Sequence, residues 1–102
     1  MFKSKKKKVS EECWNLDYEL CKWLNEHLKL YLEEASKVVD LEFYHFKYRG
    51  KEYTQMEIIK RLIDITDFML EDIDYFSEGI ELTKAKNEMY DLLKMVHWHL
   101  WW

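Results

Sequence analysis

CWNLDYELCKWLNEHLKLYLEEA, residues Cys13 to Ala35, reads as one long helix. At ~100° per residue, Cys13, Trp14, Leu16, Leu20, Cys21, Trp23, Leu24, Leu28, Leu30, Tyr31, Leu32 and Ala35 fill an arc of roughly 200°. Asn15, Glu19, Lys22, Glu26, Lys29 and Glu33 hold the opposite side. A surface helix needs an apolar stripe only a little over ~100° wide. The excess suits a helix touching two neighbours, so this one is expected at the centre of the fold. Asp17 projects into the apolar arc between Cys13, Cys21, Leu24 and Leu28. A carboxylate placed there has to be hydrogen-bonded, paired or protonated, so Asp17 is expected as a buried structural group fixing helix register. A ligand contact and simple exposure at the helix end are the alternatives.

Working outward, the 102 residues suffice for one modest core and include no proline and two glycines, which favours long helices over a turn-rich β fold. Five Trp, seven Tyr and five Phe exceed what so small a core absorbs, implying a surface for a second copy or another protein. The net charge of −4 hides a split: residues 1–9 hold five Lys and no acid. Removing those five from the 16 basic side chains leaves 11 against 20 acids, about −9, in the rest. Residues 1–9 form an expected disordered basic tail, and residues 10–102 a single helical domain. Lys3 to Lys8 are the only expected route to direct nucleic-acid contact. Cys13 and Cys21, ~80° apart in projection and about 12 Å apart in rise, cannot bridge within one helix. Both read as reduced core thiols. No run of apolar residues is long enough to span a membrane, and a cytoplasmic location is expected.

Ser10, with Glu11 and Glu12, can start the first helix. Leu41 to Tyr48 then turns aromatic and loses the 3.6 period, Arg49-Gly50 offers a reversal, and Lys51-Glu52-Tyr53 can return. A short β-hairpin is expected, with an extended or partly helical connector as the alternative. Thr54-Gln55-Met56-Glu57 is a capping box. It opens a second helix with core residues Ile59, Leu62, Ile63, Thr66, Met69, Leu70, Ile73 and Phe76, ending near Ser77 before Gly79. Leu82, Ala85, Met89, Leu92, Leu93, Val96 and Leu100 mark a third helix antiparallel to the second. The expected fold is thus mainly α: a bundle-like domain of three helices with a short β or extended insertion between the first and second. Met95, Trp98 and Trp102 project away from the third stripe and form a candidate oligomer or partner surface.

The sharpest charge pattern lies on the second helix. Asp64, Asp67, Glu71, Asp74, Glu78 and Glu81 make one ridge with no Lys or Arg between Arg61 and Lys84. Its carboxylates would repeat about every ~5.4 Å, broadly like phosphates on one strand. It is either a solvated face or a contact for something basic. On the second reading Asp64, Asp67, Glu71, Asp74 and Glu78 make the contact, with Phe68 and Tyr75 as apolar anchors. Metal ligation is weakly signalled: His97 and His99 diverge by ~200°, and His27 and His45 stand alone. The acid pairs of a helical pyrophosphatase lack their third glutamate, since Asn15 and Lys37 stand in its place. Serine, cysteine and P-loop nucleophile patterns do not occur. The chain is expected not to be an enzyme, and no cofactor is expected.

Trp14-Asn15-Leu16-Asp17-Tyr18-Glu19-Leu20-Cys21-Lys22-Trp23-Leu24, with Leu28, Tyr31 and the closing Leu100-Trp101-Trp102, resembles a family of small tailed-phage proteins. That family opens on a W-x-L-D-x-x-[LI]-A-K-[FW]-[IL] helix and closes on an aromatic L-W-W tail. The likeness covers the first helix and the last turn, about a third of the chain, and the aromatic segment Leu41–Tyr53 replaces the family's proline-containing loop. The resemblance implies a phage or prophage origin and action in the host cytoplasm, and carries over no catalytic residue. The leading expectation is a phage-encoded binding protein that inhibits a host factor, such as a nucleic-acid-processing or defence complex, in the manner of an anti-CRISPR. A homodimer is expected. A protein sequestering a nucleotide signal and a virion or replication accessory component are the alternatives.

Overall fold

Thr54 and Glu57 satisfy each other's backbone: the Glu57 amide donates to Thr54 Oγ1 at 3.2 Å and the Thr54 amide to Glu57 Oε1 at 3.0 Å. This reciprocal cap is the one the sequence spells, and it sets where the central helix begins. The computed structural model describes Cys13, residues 16–71 and residues 80–102. Its elements are α1 (Leu16–Ala35), β1 (His45–Tyr48), β2 (Lys51–Thr54), α2 (Gln55–Glu71), α3 (Ile80–Val96) and a 3-10 turn at His97–His99. The protein is mainly helical, with three helices and a two-stranded antiparallel hairpin between α1 and α2. The Lys tail, Ser10, Trp14, Ile73, Asp74, Tyr75, Phe76, Glu78 and Gly79 lie outside the described residues.

The hairpin is shorter than its aromatic stretch. His45 pairs with Thr54 and Tyr48 with Lys51, leaving Arg49-Gly50 as a two-residue loop. Both loop residues have positive φ, 52° and 77°, the geometry whose twist matches the flanking strands. Leu41 to Tyr44 is instead a turn docked on α2. The Leu41 and Tyr44 carbonyls accept the Met56 and Gln55 amides at 2.9 and 3.0 Å. Buried Leu41 thereby plugs the core while its backbone satisfies two donors at the helix start.

The core joins Leu28, Tyr31 and Ala35 of α1, Leu41, Ile58, Ile59, Leu62 and Ile65 of α2's neighbourhood, and Met89, Leu92 and Val96 of α3. The centre of the fold is α2, not α1. Cys21 and Asn25 of α1 bond α2 on one side, and Arg61 of α2 grips Glu88 of α3 on the other. Apolar and half-buried positions from Ile63 round to Phe68 cover roughly 220° of α2, enough for both neighbours. The wide arc of α1 packs on α2 along one side and meets the C-terminal segment near Tyr31.

The buried polar group between α1 and α2 is Asn25, not Asp17. Asp17 is exposed, its Oδ1 accepting the adjacent Tyr18 amide at 2.9 Å. A wheel gives the direction of a side chain but not whether a neighbour reaches that turn, and the first turn of α1 stands clear. Asn25, 4% exposed, donates to Thr66 Oγ1 at 2.8 Å and Asp67 Oδ1 at 2.9 Å, with the Ile63 carbonyl at 3.3 Å. The Thr66 hydroxyl passes its own proton back to the Leu62 or Ile63 carbonyl. Every buried side-chain polar atom among the described residues is thereby paired. Cys21 is a buried thiol donating to the Thr66 carbonyl at 3.8 Å. Burial first, then the Asp67 charge, pushes its pKa up. Cys13, expected inside, is exposed.

The C-terminus is tied down by two side chains. Tyr31 Oη donates to the carbonyls of His99 and Trp101 at 3.2 and 3.0 Å, and Gln55 Nε2 to the His99 carbonyl at 2.8 Å. This clamp lays Leu100 and Trp102 along α1.

Candidate functional site

The acidic ridge of α2 is divided by tertiary contacts. Asp64 and Glu71 are exposed as expected, and Phe68 is half-buried. Asp67 turns toward α1, where one oxygen receives both Lys29 Nζ and Asn25 Nδ2 at 2.9 Å. The Lys29 ammonium, with Asn25 second, holds the Asp67 carboxyl below its usual 3.8. Asp67 is thus part of the α1–α2 joint, its side chain 42% exposed. Asp74, Tyr75 and Glu78 fall outside the described residues, so the structure brings together only Asp64, Phe68 and Glu71 of the expected surface. Ridge spacing along one helix could not reveal that a lysine from α1 had already claimed its second member.

A cleft of about 590 Å³ opens between the hairpin, α2 and α3. Tyr48, Arg49, Lys51, Tyr53, Lys60, Arg61 and Asp64 are among its walls. Arg49 lies over the Tyr48 ring at 5.1 Å and Lys51 near the Tyr53 ring at 5.6 Å. Arg61 spans both oxygens of Glu88, Nη2 to Oε1 being 3.1 Å, and this bond raises the guanidinium pKa further. Tyr48 Oη reaches Asp91 at 3.2 Å, so hairpin, α2 and α3 share one polar wall. Sequence reading missed this cleft because its cations come from a turn, a strand and a helix that periodicity alone does not juxtapose. Among the described residues no three His, Cys, Asp or Glu side chains converge as metal ligands, and no helix is long and apolar enough to cross a membrane.

An uncovered apolar surface lies on α1. Leu16, Leu20, Trp23 and Leu30 are 58, 51, 56 and 55% exposed. Trp23 stacks on His27 with ring centroids 3.9 Å apart, and the His27 Nδ1–H donates to the Trp23 carbonyl at 2.7 Å. At the C-terminal end of this face Trp102 meets Tyr31, centroids 5.5 Å apart. Leu100 and Trp102 there wall a groove of about 260 Å³ against Trp23, Leu24, His27 and Leu30. The surface expected from Met95, Trp98 and Trp102 is not one patch. Met95 packs against the core, because the helix ends at Val96 and the 3-10 turn redirects the chain. Trp98 points outward, 84% exposed, and Trp102 joins the α1 face.

Compared with known proteins, the chain matches no family model, no curated protein and no solved structure.

Proposed function

We propose that this chain is a phage- or prophage-encoded, non-enzymatic binding protein that inhibits a host factor by stoichiometric contact, of the anti-defence or anti-CRISPR kind. The observation that carries the reading is the open face of α1: four large apolar side chains and a stacked Trp–His pair left in solvent on one helix. Isolated exposed leucines are ordinary, whereas a continuous apolar face of this length on a small domain is where a partner sits. Asp64 and Glu71 add negative charge on α2, which favours a basic partner such as a nucleic-acid channel through steering and complementarity. The reading is tested by expressing the protein in a host with an active defence system and measuring interference against phage. Restored phage growth, together with a complex of fixed stoichiometry on size exclusion, is expected. The Asp64→Lys, Glu71→Lys double variant should weaken that complex at low salt and leave helicity unchanged. Undiminished defence at full expression overturns the reading.

A second reading, capture of a nucleotide signal, is favoured by the cleft, where Arg49, Lys51 and Lys60 lie with Tyr48 and Tyr53. Tyrosine rings can stack a base and cations can meet its phosphates. Calorimetry with cyclic mono- and dinucleotides decides it, and heat absent in wild type discards it.

A further inference from the structure

On α1, Leu16, Leu20, Trp23, His27 and Leu30 follow one another at steps of four, three, four and three. That is an unbroken d-a-d-a-d series of a heptad. The face packed on α2 repeats the same steps one-third of a turn round, at Cys21, Asn25, Leu28, Leu32 and Ala35. One helix therefore carries two parallel seams of coiled-coil spacing, one filled by α2 and one open. In the register of the open seam, Glu19, Glu26 and Glu33 all occupy position g. None of the three makes an ion pair with another described residue. Lys22 and Lys29 stand at c, away from the seam, and Lys29 is held by Asp67.

From this geometry we infer that the open seam of α1 docks an amphipathic helix of another protein, one whose apolar seam is flanked by Lys or Arg. Flanking charges choose the partner in such pairings. A second copy offers the wrong ones. Antiparallel, its own Glu19, Glu26 and Glu33 face this row; parallel, position e supplies Asp17, Leu24 and Tyr31, with no cation. A basic-flanked helix meets three carboxylates at successive heptads and buries Leu16, Leu20, Trp23 and Leu30. The groove bounded by Leu100 and Trp102 then receives one large apolar side chain of the incoming helix. His27 sits in the seam already committed through Nδ1 to the Trp23 carbonyl, which fixes the indole–imidazole stack as a preformed surface.

The inference rests on the binding-protein reading and names the partner element, and its test uses neither a host nor a defence system. The probes are two three-heptad peptides with Leu at a and d, one with Lys and the other with Glu at e and g. Each is titrated into the full chain by calorimetry at about 50 mM and about 500 mM salt. The Lys peptide is expected to bind at least ~10-fold more tightly, and to lose most of that advantage at high salt. Trp23→Ala should weaken it a further ~10-fold. The triple variant Glu19→Lys, Glu26→Lys, Glu33→Lys should bind the Glu peptide in preference, with unchanged far-ultraviolet ellipticity. Because that variant changes only surface charge, it keeps the test open if Trp23→Ala fails to fold. Equal binding of the two peptides, binding of neither, or a dimer in sedimentation that Trp23→Glu dissolves would each overturn the inference. Failure here with a positive interference assay discards the seam and keeps the binding-protein reading. Peptide binding with a negative assay does the reverse.

Discussion

Along α1, Cys21, Asn25, Leu28, Leu32 and Ala35 turn inward to α2, while Leu16, Leu20, Trp23, His27 and Leu30, on the same spacing, meet water. The outer series carries the larger side chains of the two. The inner one contains an asparagine that is buried, and the outer one a tryptophan that is not. The buried amide is matched by its surroundings: Thr66, the Ile63 carbonyl and Asp67 on α2 form a socket for it. A buried amide with its partners in place favours one register over its neighbours, since sliding by a turn strands polar atoms. A seam of leucines makes no such demand, which suits a surface that must wait for a partner.

The two seams should separate most clearly under truncation. Leu28→Ala empties a site that is 3% exposed and should cost about 2–4 kcal/mol in urea unfolding. Leu20→Ala, half-exposed, should stay within ~0.5 kcal/mol. Equal losses would mean that the outer seam is also covered in the isolated protein. Next in size is Asn25→Ala, which leaves Thr66 and Asp67 short of a donor and should cost roughly 1–3 kcal/mol. His27→Ala removes one exposed hydrogen bond and a stack, and should change the folding free energy by under ~0.5 kcal/mol while relaxing the Trp23 fluorescence.

Acid sharpens the contrast more gently. Asp67 is held below 3.8 by Lys29 and Asn25, and Glu57 below 4.5 by the Thr54 amide, then its hydroxyl. A depressed carboxyl contributes stability above its unfolded pKa and loses it as pH falls through the lower folded value. Stability should thus be level above about pH 5 and decline below about pH 4. Lys29→Met should flatten part of that decline. The Asp67 pair is half-exposed, so its share is discounted to well under ~1 kcal/mol.

How much was legible depended on how local the signal was. Thr54 and Glu57 sit one helical turn apart and bond each other, so four letters sufficed to place the start of α2. Arg49-Gly50 likewise announced a reversal, because few residues tolerate positive φ and one of them is glycine. The inward stripes of α2 and α3 followed from their period only in part: Ile59, Leu62, Thr66, Met89, Leu92 and Val96 are buried, but so are Ile58 and Ile65, which fell outside the stripe, and Leu100 lies beyond the end of α3. Asp17 and Asn25 were exchanged in role for the opposite reason. Asp17 points into the apolar arc one turn before any described neighbour reaches it, and Asn25 owes its burial to atoms 38 to 42 positions away. Asp67 looked like one of six equivalent carboxylates until Lys29 singled it out, and the hairpin–α2–α3 cleft has no sequence signature because its cations are gathered from separate elements.

By itself the sequence determined the helix count, a reversal at Arg49-Gly50, the cap of α2, and an apolar arc on α1 wider than one neighbour can fill. Each of these is decided within a few residues, by backbone dihedrals, side-chain period or a short-range hydrogen bond. Only the tertiary structure decided that α2 and not α1 lies at the centre, which half of that arc is sealed, and which acids remain free. Those outcomes depend on which surfaces meet across tens of residues, as the pairing of Asn25 with Thr66 and of Lys29 with Asp67 shows.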